Sequence, residues 1–279
     1  MRHVVFNQKG GVGKSSITVN LAAISAQRGL RTLVLDLDPQ CNSTTYLLGD
    51  HAAEVPTTIA DFFRQFLYFR LTPIDAMQYV HDTGFDNLSV IPAAPDLAEI
   101  ESKLENRFKI YKLREAMQQL ESEFDAVYID TPPAWNFYTL SALIAAEGCL
   151  IPFDCDDFSR RALYNLIENV EETRSDHNAN LRVEGIIVNQ FQARANLPTR
   201  LVEELQEEGL PMLHSRLSSS VKMRESHEQA KPLIHLFPAH KLTQEFVALF
   251  NELHHESPPA TSNKTSKRSG RQKVTASAE

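Results

Sequence analysis

Lys9-Gly10-Gly11-Val12-Gly13-Lys14-Ser15-Ser16 packs two amines, two hydroxyls and three glycines into one short stretch. That mixture suits one chemistry, the binding of a polyphosphate. Glycines let successive backbone N–H groups turn toward an anion, and a helix starting at Ser15 adds the dipole of its N-terminus. Lys14 would reach the β- and γ-phosphates, and the Ser15 hydroxyl would ligate Mg²⁺. The strict spacing G-x-x-x-x-G-K-[ST] is not met, because Gln8 occupies its first glycine position. Lys9 stands beside it instead. The loop is therefore a variant, and its second cation reads as a lysine aimed at a nucleotide, either its own or one across a dimer interface, rather than as a solvated loop charge.

Three carboxylates complete the candidate chemistry. Asp130 ends the apolar run Ala126-Val127-Tyr128-Ile129, an arrangement that places an acid near nucleotide-bound Mg²⁺. The competing reading is a cap for the segment after Pro132-Pro133. Asp36 and Asp38 lie in Leu35-Asp36-Leu37-Asp38-Pro39-Gln40. On a continuing strand an i, i+2 pair shares one face, whereas at a strand end the two can part, one toward a metal and one toward an attacking water. Phosphoryl transfer needs positioning and charge neutralisation, so a single water-orienting carboxylate suffices.

These residues need a scaffold that gathers them. Apolar runs of strand length occur at 3–6, 32–36, 88–92, 126–130, 149–153 and 185–189. Helix-periodic segments lie between them at 15–28, 109–123, 138–146, 159–174 and 198–208. The pattern predicts an α/β fold of the P-loop NTPase type, a mostly parallel twisted sheet with helices on both faces. Ligands of such sheets bind at the carboxyl ends of the strands, where the candidate residues fall. The aromatic stretch 57–79, with Phe62, Phe63, Phe66, Tyr68 and Phe69 beside Arg64 and Arg70, reads as an amphipathic helix rather than a base-stacking surface.

The chain has 279 residues and a net charge of −8, so its body is no general attractant for nucleic acid. Charge is unevenly placed. Residues 256–279 hold five of the 28 basic and two of the 36 acidic residues, giving that segment +3 and the rest −11. The segment is rich in Ser, Thr, Pro and Ala and lacks apolar periodicity, so it reads as a disordered basic tail behind one large domain at 1–255. Cys41, Cys149 and Cys155 form no paired framework, and Cys149 reads as buried packing. The start of the chain runs straight into the loop with no secretory leader, and no apolar run reaches the roughly 18 residues of a membrane span. The expectation is a cytoplasmic protein.

Taken together, the loop, Asp36-x-Asp38-Pro39-Gln40 and Asp130-Thr131-Pro132-Pro133 resemble the ParA/Soj/MinD family of deviant-Walker ATPases. The resemblance extends over about residues 1–253, with weaker echoes in Ile91-Pro92-Ala93, in Ile151-Pro152 and from Lys231-Pro232-Leu233 to Phe250. Asp38-Pro39-Gln40-Cys41-Asn42-Ser43-Thr44 brings it nearest to the ParA/Soj partition proteins. That resemblance implies a slow, partner-stimulated ATP hydrolase working as an ATP-bound homodimer. Lys9 would reach the partner's phosphates, Lys14 and Ser15 would bind phosphate and Mg²⁺, and Asp36 and Asp130 would hold the metal through water. Asp38 would position the hydrolytic water, while Asn189 and Pro238 would meet the adenine.

The resemblance further implies sequence-independent DNA binding by the dimer through late basic residues. Lys222 falls on such a position, with Arg224, Arg194, Arg200 and Arg216 as neighbouring candidates. The protein would be nucleoid-associated, would segregate or position a cargo, and would be released by hydrolysis. A stimulating adaptor with a basic N-terminal segment is expected. Two departures stand out: the acids of Asp154-Cys155-Asp156-Asp157, and the lack of an N-terminal helix-turn-helix, which argues against promoter autoregulation.

Two other classes compete. A MinD-like membrane-surface ATPase would need an amphipathic C-terminal helix, which the residues after Pro258-Pro259 do not offer, so no stable membrane contact is expected. A biosynthetic or redox relative would use the same loop for metabolic chemistry; its iron–sulfur branch would need cluster-ligating cysteines, and the three present are not suitably arranged.

Overall fold

Apolar side chains alternate between the two faces of every central strand, which is why the sheet is covered twice. Val4, Leu33, Leu35, Val127 and Ile129 enter one core, while Val5, Val34, Ala126 and Tyr128 enter the other. A strand buried on both faces reads as a continuous apolar run, and that made these strands visible in the sequence. The computed structural model describes residues 1–254 apart from 70, 71, 73, 156–158 and 192–195. The expected basic tail, Arg194, Asp156 and Asp157 lie outside the described residues.

β1 (Arg2–Val5) leads through the glycine loop to α1 (Lys14–Gln27), and β2 (Thr32–Asp36) leads to α2 (Asn42–Leu48) and α3 (Ile59–Arg64). β3 (His81–Asp82), β4 (Leu88–Ile91), α4 (Leu97–Asn106), α5 (Lys112–Gln119) and β5 (Ala126–Asp130) follow. Next come α6 (Phe137–Ala145), β6 (Gly148–Asp154), α7 (Ser159–Asp176), β7 (Arg182–Phe191) and α8 (Asn196–Glu207). β8 (Met212–Ser218), α9 (Val221–Glu228), α10 (Leu233–Leu236) and α11 (Lys241–Leu253) close the described chain.

The eight strands form one sheet in the order β3-β4-β2-β5-β1-β6-β7-β8, parallel throughout except for the β3–β4 pair. β1 is central, with β5 on one side and β6 on the other. The chain fills one side of β1 up to β5 and then crosses to the other with β6. The crevice at that reversal is where open α/β sheets bind ligands, and the glycine loop leaves β1 directly into it. α1 packs between the sheet and α2, α10 and α11. Its residues Ile17–Ala26 are buried all round, so it carries almost no amphipathic signal.

All six expected strands are present, β7 being longer than expected at both ends. β8 escapes an apolar-run reading because it is an edge strand in which only Met212 and Leu217 are buried. The helix expected over 109–123 is shorter, spanning Lys112–Gln119. The aromatic stretch is corrected in part. α3, closed by a capping box between Thr58 and Asp61, buries Phe62 and Phe63, but Tyr68 and Phe69 are 69% and 90% exposed. Arg64 there is held by Asp61 and Asp96 rather than being available to phosphate. Cys149 is buried and all three cysteines are free thiols. No helix among the described residues is long and apolar enough to cross a membrane.

Candidate functional site

The loop between β1 and α1 is shaped from outside. Asn7 donates from Nδ2 to the Pro152 carbonyl and accepts the Lys9 N–H on Oδ1, pinning the point where the chain leaves β1. At the far end of β7, Asn189 Nδ2 donates to the Val12 carbonyl at 2.8 Å and Gln190 Nε2 donates to the Gly11 carbonyl at 3.1 Å. Drawing these carbonyls toward β7 leaves the loop's N–H groups to converge on its inner side, the geometry an anion requires. Gly11 and Gly13 take φ of +78° and +89°, values that disfavour a side chain. Gly13 also sits where an added Cβ would lie 2.3 Å from Asn189 Nδ2.

A pocket of about 500 Å³ opens on this loop. Gly10, Gly11, Gly13, Lys14, Ser15, Ser16 and Asp38 line it, so seven of the residues singled out from sequence meet there. Lys14 is only 6% exposed, and its Nζ donates to the Lys9 carbonyl at 3.2 Å. Burial lowers its pKa, while the charges of Asp130 and Asp38 pull the other way. An ammonium held in so dry a position gains from an arriving phosphate.

Lys9 and Val12 do not line that pocket. They face an adjacent recess with Phe153 and Asp154, and Lys9 Nζ lies 3.8 Å from Asp154 Oδ2. The two basic residues of the loop thus point to different places.

β2 ends at Asp36, so the two aspartates of its tip do part. Asp38 reaches the pocket, where its Oδ1 accepts the Gln40 N–H, and burial raises its pKa against the pull of that bond and of Lys14. Asp36 is fully buried. Its Oδ1 accepts the Asp38 N–H, and its Oδ2 accepts both the N–H and the hydroxyl of Thr44. It therefore ties the Asp38 turn to α2. Between them Cys41 adopts φ +55°, and burial with the charges of Asp36 and Asp38 pushes its thiol up to about 12, which makes it a poor nucleophile.

Asp130 is not a helix cap. That role at α6 belongs to Asn136, which accepts the Thr139 N–H. Asp130 accepts the Ser43 hydroxyl on Oδ2, and its Oδ1 is buried with no hydrogen-bond partner. Such an atom is costly unless something meets it. The Ser15 hydroxyl and the Lys14 charge both favour its ionised form, and Mg²⁺ suits this donor set of hydroxyl and carboxylate oxygens. No group of three or more His, Cys, Asp or Glu among the described residues forms a metal cage. A cation here would draw most ligands from phosphate and water, as Mg²⁺ does.

The remaining candidates lie apart. Pro238 follows α10, outside the pocket lining, and its carbonyl accepts from Gln244 Nε2. Lys222 and Arg224 are on α9. Lys222 pairs with Glu225 at 2.6 Å and lies over the Phe237 ring. Arg216, on β8, stacks on Phe191, and Arg200, on α8, pairs with Glu204 at 2.9 Å. The sequence reading missed Tyr46 and His227, which also line the pocket. Neither belongs to a motif of general chemistry, and only the folding of α2 and α9 against α1 brings them there.

A family model described as an AAA domain matches residues 2–183. The chain is 32% identical to the chromosome partitioning protein ParA of Myxococcus xanthus over 257 residues, 91% of this chain and 88% of that protein. It is 30% identical to the sporulation initiation inhibitor protein Soj of Bacillus subtilis over 251 residues, 89% and 96% of the two chains. Among solved structures, cobyrinic acid a,c-diamide synthase from Mycobacterium smegmatis, with bound ADP and magnesium, superposes with a TM-score of 0.71 at 24% identity, covering 86% of this chain and 96% of that one. That last likeness is one of fold. The two close relatives, the matched domain and the loop geometry agree that the chain belongs to the ParA/Soj/MinD family of P-loop ATPases.

Proposed function

We propose that this chain is a ParA-type ATPase that binds non-specific DNA as an ATP-dependent homodimer and is released by hydrolysis, so that it segregates or positions a cargo. The observation that carries this reading is the divergence of the two loop lysines. Lys14 serves the pocket of its own subunit, whereas Lys9 faces a separate recess and is 46% exposed, suited to the phosphates of a second copy. Its Asp154 partner holds it within one subunit until that exchange.

In this reading the loop N–H groups and Lys14 hold the phosphates of ATP, and Ser15 with Asp130 holds Mg²⁺, which neutralises phosphate charge when bound. Asp36 sets the Asp38 turn and acts on the metal only through water. Asp38, drawn up by burial, orients the attacking water and accepts its proton. On this reading Asn189 recognises the adenine while it holds the loop, and Pro238 lines the base. Lys222, Arg224, Arg216 and Arg200, with the basic residues of 256–279, give phosphate contacts without base readout. A stimulating adaptor with a basic N-terminal segment suits the acidic body, and the working location is the nucleoid in the cytoplasm.

Light scattering on the Asp38→Ala variant tests the assembly. A dimer with ATP and a monomer with ADP is the expected result. A monomer in both states would refute the proposed role of Lys9.

A further inference from the structure

His227 occupies a position that the loop chemistry does not explain. It sits near the end of α9, the helix whose first turn carries Lys222 and Arg224, and its Nε2 lies 3.0 Å from the Ser16 hydroxyl. Both side chains line the pocket. The ring stands edge-on to Tyr46, with centroids 4.4 Å apart.

Beneath it runs a directed chain of hydrogen bonds. Ser226 donates to the Lys231 carbonyl, so the Tyr46 hydroxyl donates to Ser226 Oγ and itself accepts from Asn20 Nδ2 at 3.2 Å. Asn20 also donates to the Ser16 carbonyl and accepts the Leu233 N–H. α1, α2, α9 and the start of α10 are thereby fixed to one another at the rim of the pocket. Every hydroxyl proton in the chain below the imidazole has an acceptor. The Ser16–His227 contact lies at the pocket lining, beside Tyr46.

Ser16 follows Ser15 in the first turn of α1, where the helix dipole and N–H groups attract phosphate. Phosphate oxygens accept and never donate. A serine hydroxyl has one proton and a neutral imidazole one N–H. If both are offered to a phosphate, the bond between them must be given up. We propose that His227 is a nucleotide-contacting residue whose Nε2–H transfers from Ser16 to a phosphate oxygen of the bound nucleotide, and that this exchange resets the α9 helix bearing Lys222 and Arg224. The inference rests on the loop binding a nucleotide, and it adds a link from that site to the basic helix.

The test uses the full chain, with calorimetric binding of MgADP and MgATP and hydrogen exchange at the amides of residues 221–228. His227→Ala is expected to weaken both nucleotides about tenfold, the scale of one hydrogen bond to a charged group. Nucleotide should slow exchange in α9 of the unmodified protein and leave it unchanged in the variant. His227→Phe keeps a ring on Tyr46 but has no donor, so it should show the same loss even if the alanine variant folds poorly. His227→Gln, which retains an N–H donor, should recover part of the affinity. Normal affinity and normal α9 protection in His227→Phe would overturn the inference while leaving the loop assignment standing. Failure of the unmodified protein to bind either nucleotide would remove the loop assignment and the inference together.

Discussion

Asp36 and Asp130 are register partners on the adjacent strands β2 and β5, and neither is exposed to solvent. Burial raises both pKa values, and the charge of Asp130 adds to the rise at Asp36. A fold that placed two acids side by side in its core without a cation would carry a standing cost.

That cost sets a pH dependence. Below the ordinary aspartate value of 3.8, both the native and the unfolded chain hold the protons. As pH rises past it, the unfolded chain loses its protons first, so stability falls until the raised native values are passed. Melting temperature of the nucleotide-free protein should therefore decline from about pH 4 toward about pH 8, and Mg²⁺ with ADP should flatten the decline. Asp130→Asn should remove much of the slope. A pH-independent melting temperature would contradict the buried pairing.

Gly13→Ala should damage the loop twice over. The new Cβ would occupy a left-handed position, costing about 1–2 kcal/mol, and would displace the Asn189 bond to Val12, worth about 1 kcal/mol. Thermal melts and nucleotide binding should both be impaired. Loss of binding with unchanged stability would mean that the loop accommodates the methyl group locally.

Lys14→Ala should abolish measurable ATP binding, because the pocket then keeps its buried acids without their cation. Asp38→Ala should leave binding intact and slow hydrolysis by about a hundredfold or more. Steady-state turnover beside direct binding separates the two effects. Normal turnover in Asp38→Ala would assign the water to another group.

Asp154→Ala removes one in-subunit partner of Lys9, at 3.8 Å. The pair is half exposed and worth little to stability, so the melting temperature should hardly move. Dimer formation with ATP should become easier, read as a lower midpoint concentration in light scattering. An unchanged midpoint would mean the ion pair does not restrain Lys9.

The sequence carried the centre of the fold better than its edges. Val4, Leu33 and Ile129 belong to strands buried on both faces, and such strands announce themselves by apolar runs. β8, half exposed at the sheet edge, interrupts its apolar residues with His214, Ser215 and Arg216 and leaves no run to read. The loop and Asp38 were legible because their chemistry is tied to short spacings. His227 comes 211 positions after Ser16, and nothing local marks it. Lys222 and Arg200 were chosen as bare cations, yet each has a carboxylate partner at its own helix surface. A DNA phosphate would have to displace those partners, and only the assembled helices reveal them.

In the proposed function nucleotide gates DNA binding. The decisive measurement is the affinity of the purified chain for a non-specific duplex with ATP, with ADP and without nucleotide, each at two salt concentrations. Binding is expected with ATP alone, falling steeply at the higher salt as phosphate contacts are screened, and weakened about tenfold in Lys222→Glu with ATP-dependent dimerisation retained. Equal binding in all three nucleotide states, or none in any of them while ATP is still hydrolysed, would contradict it.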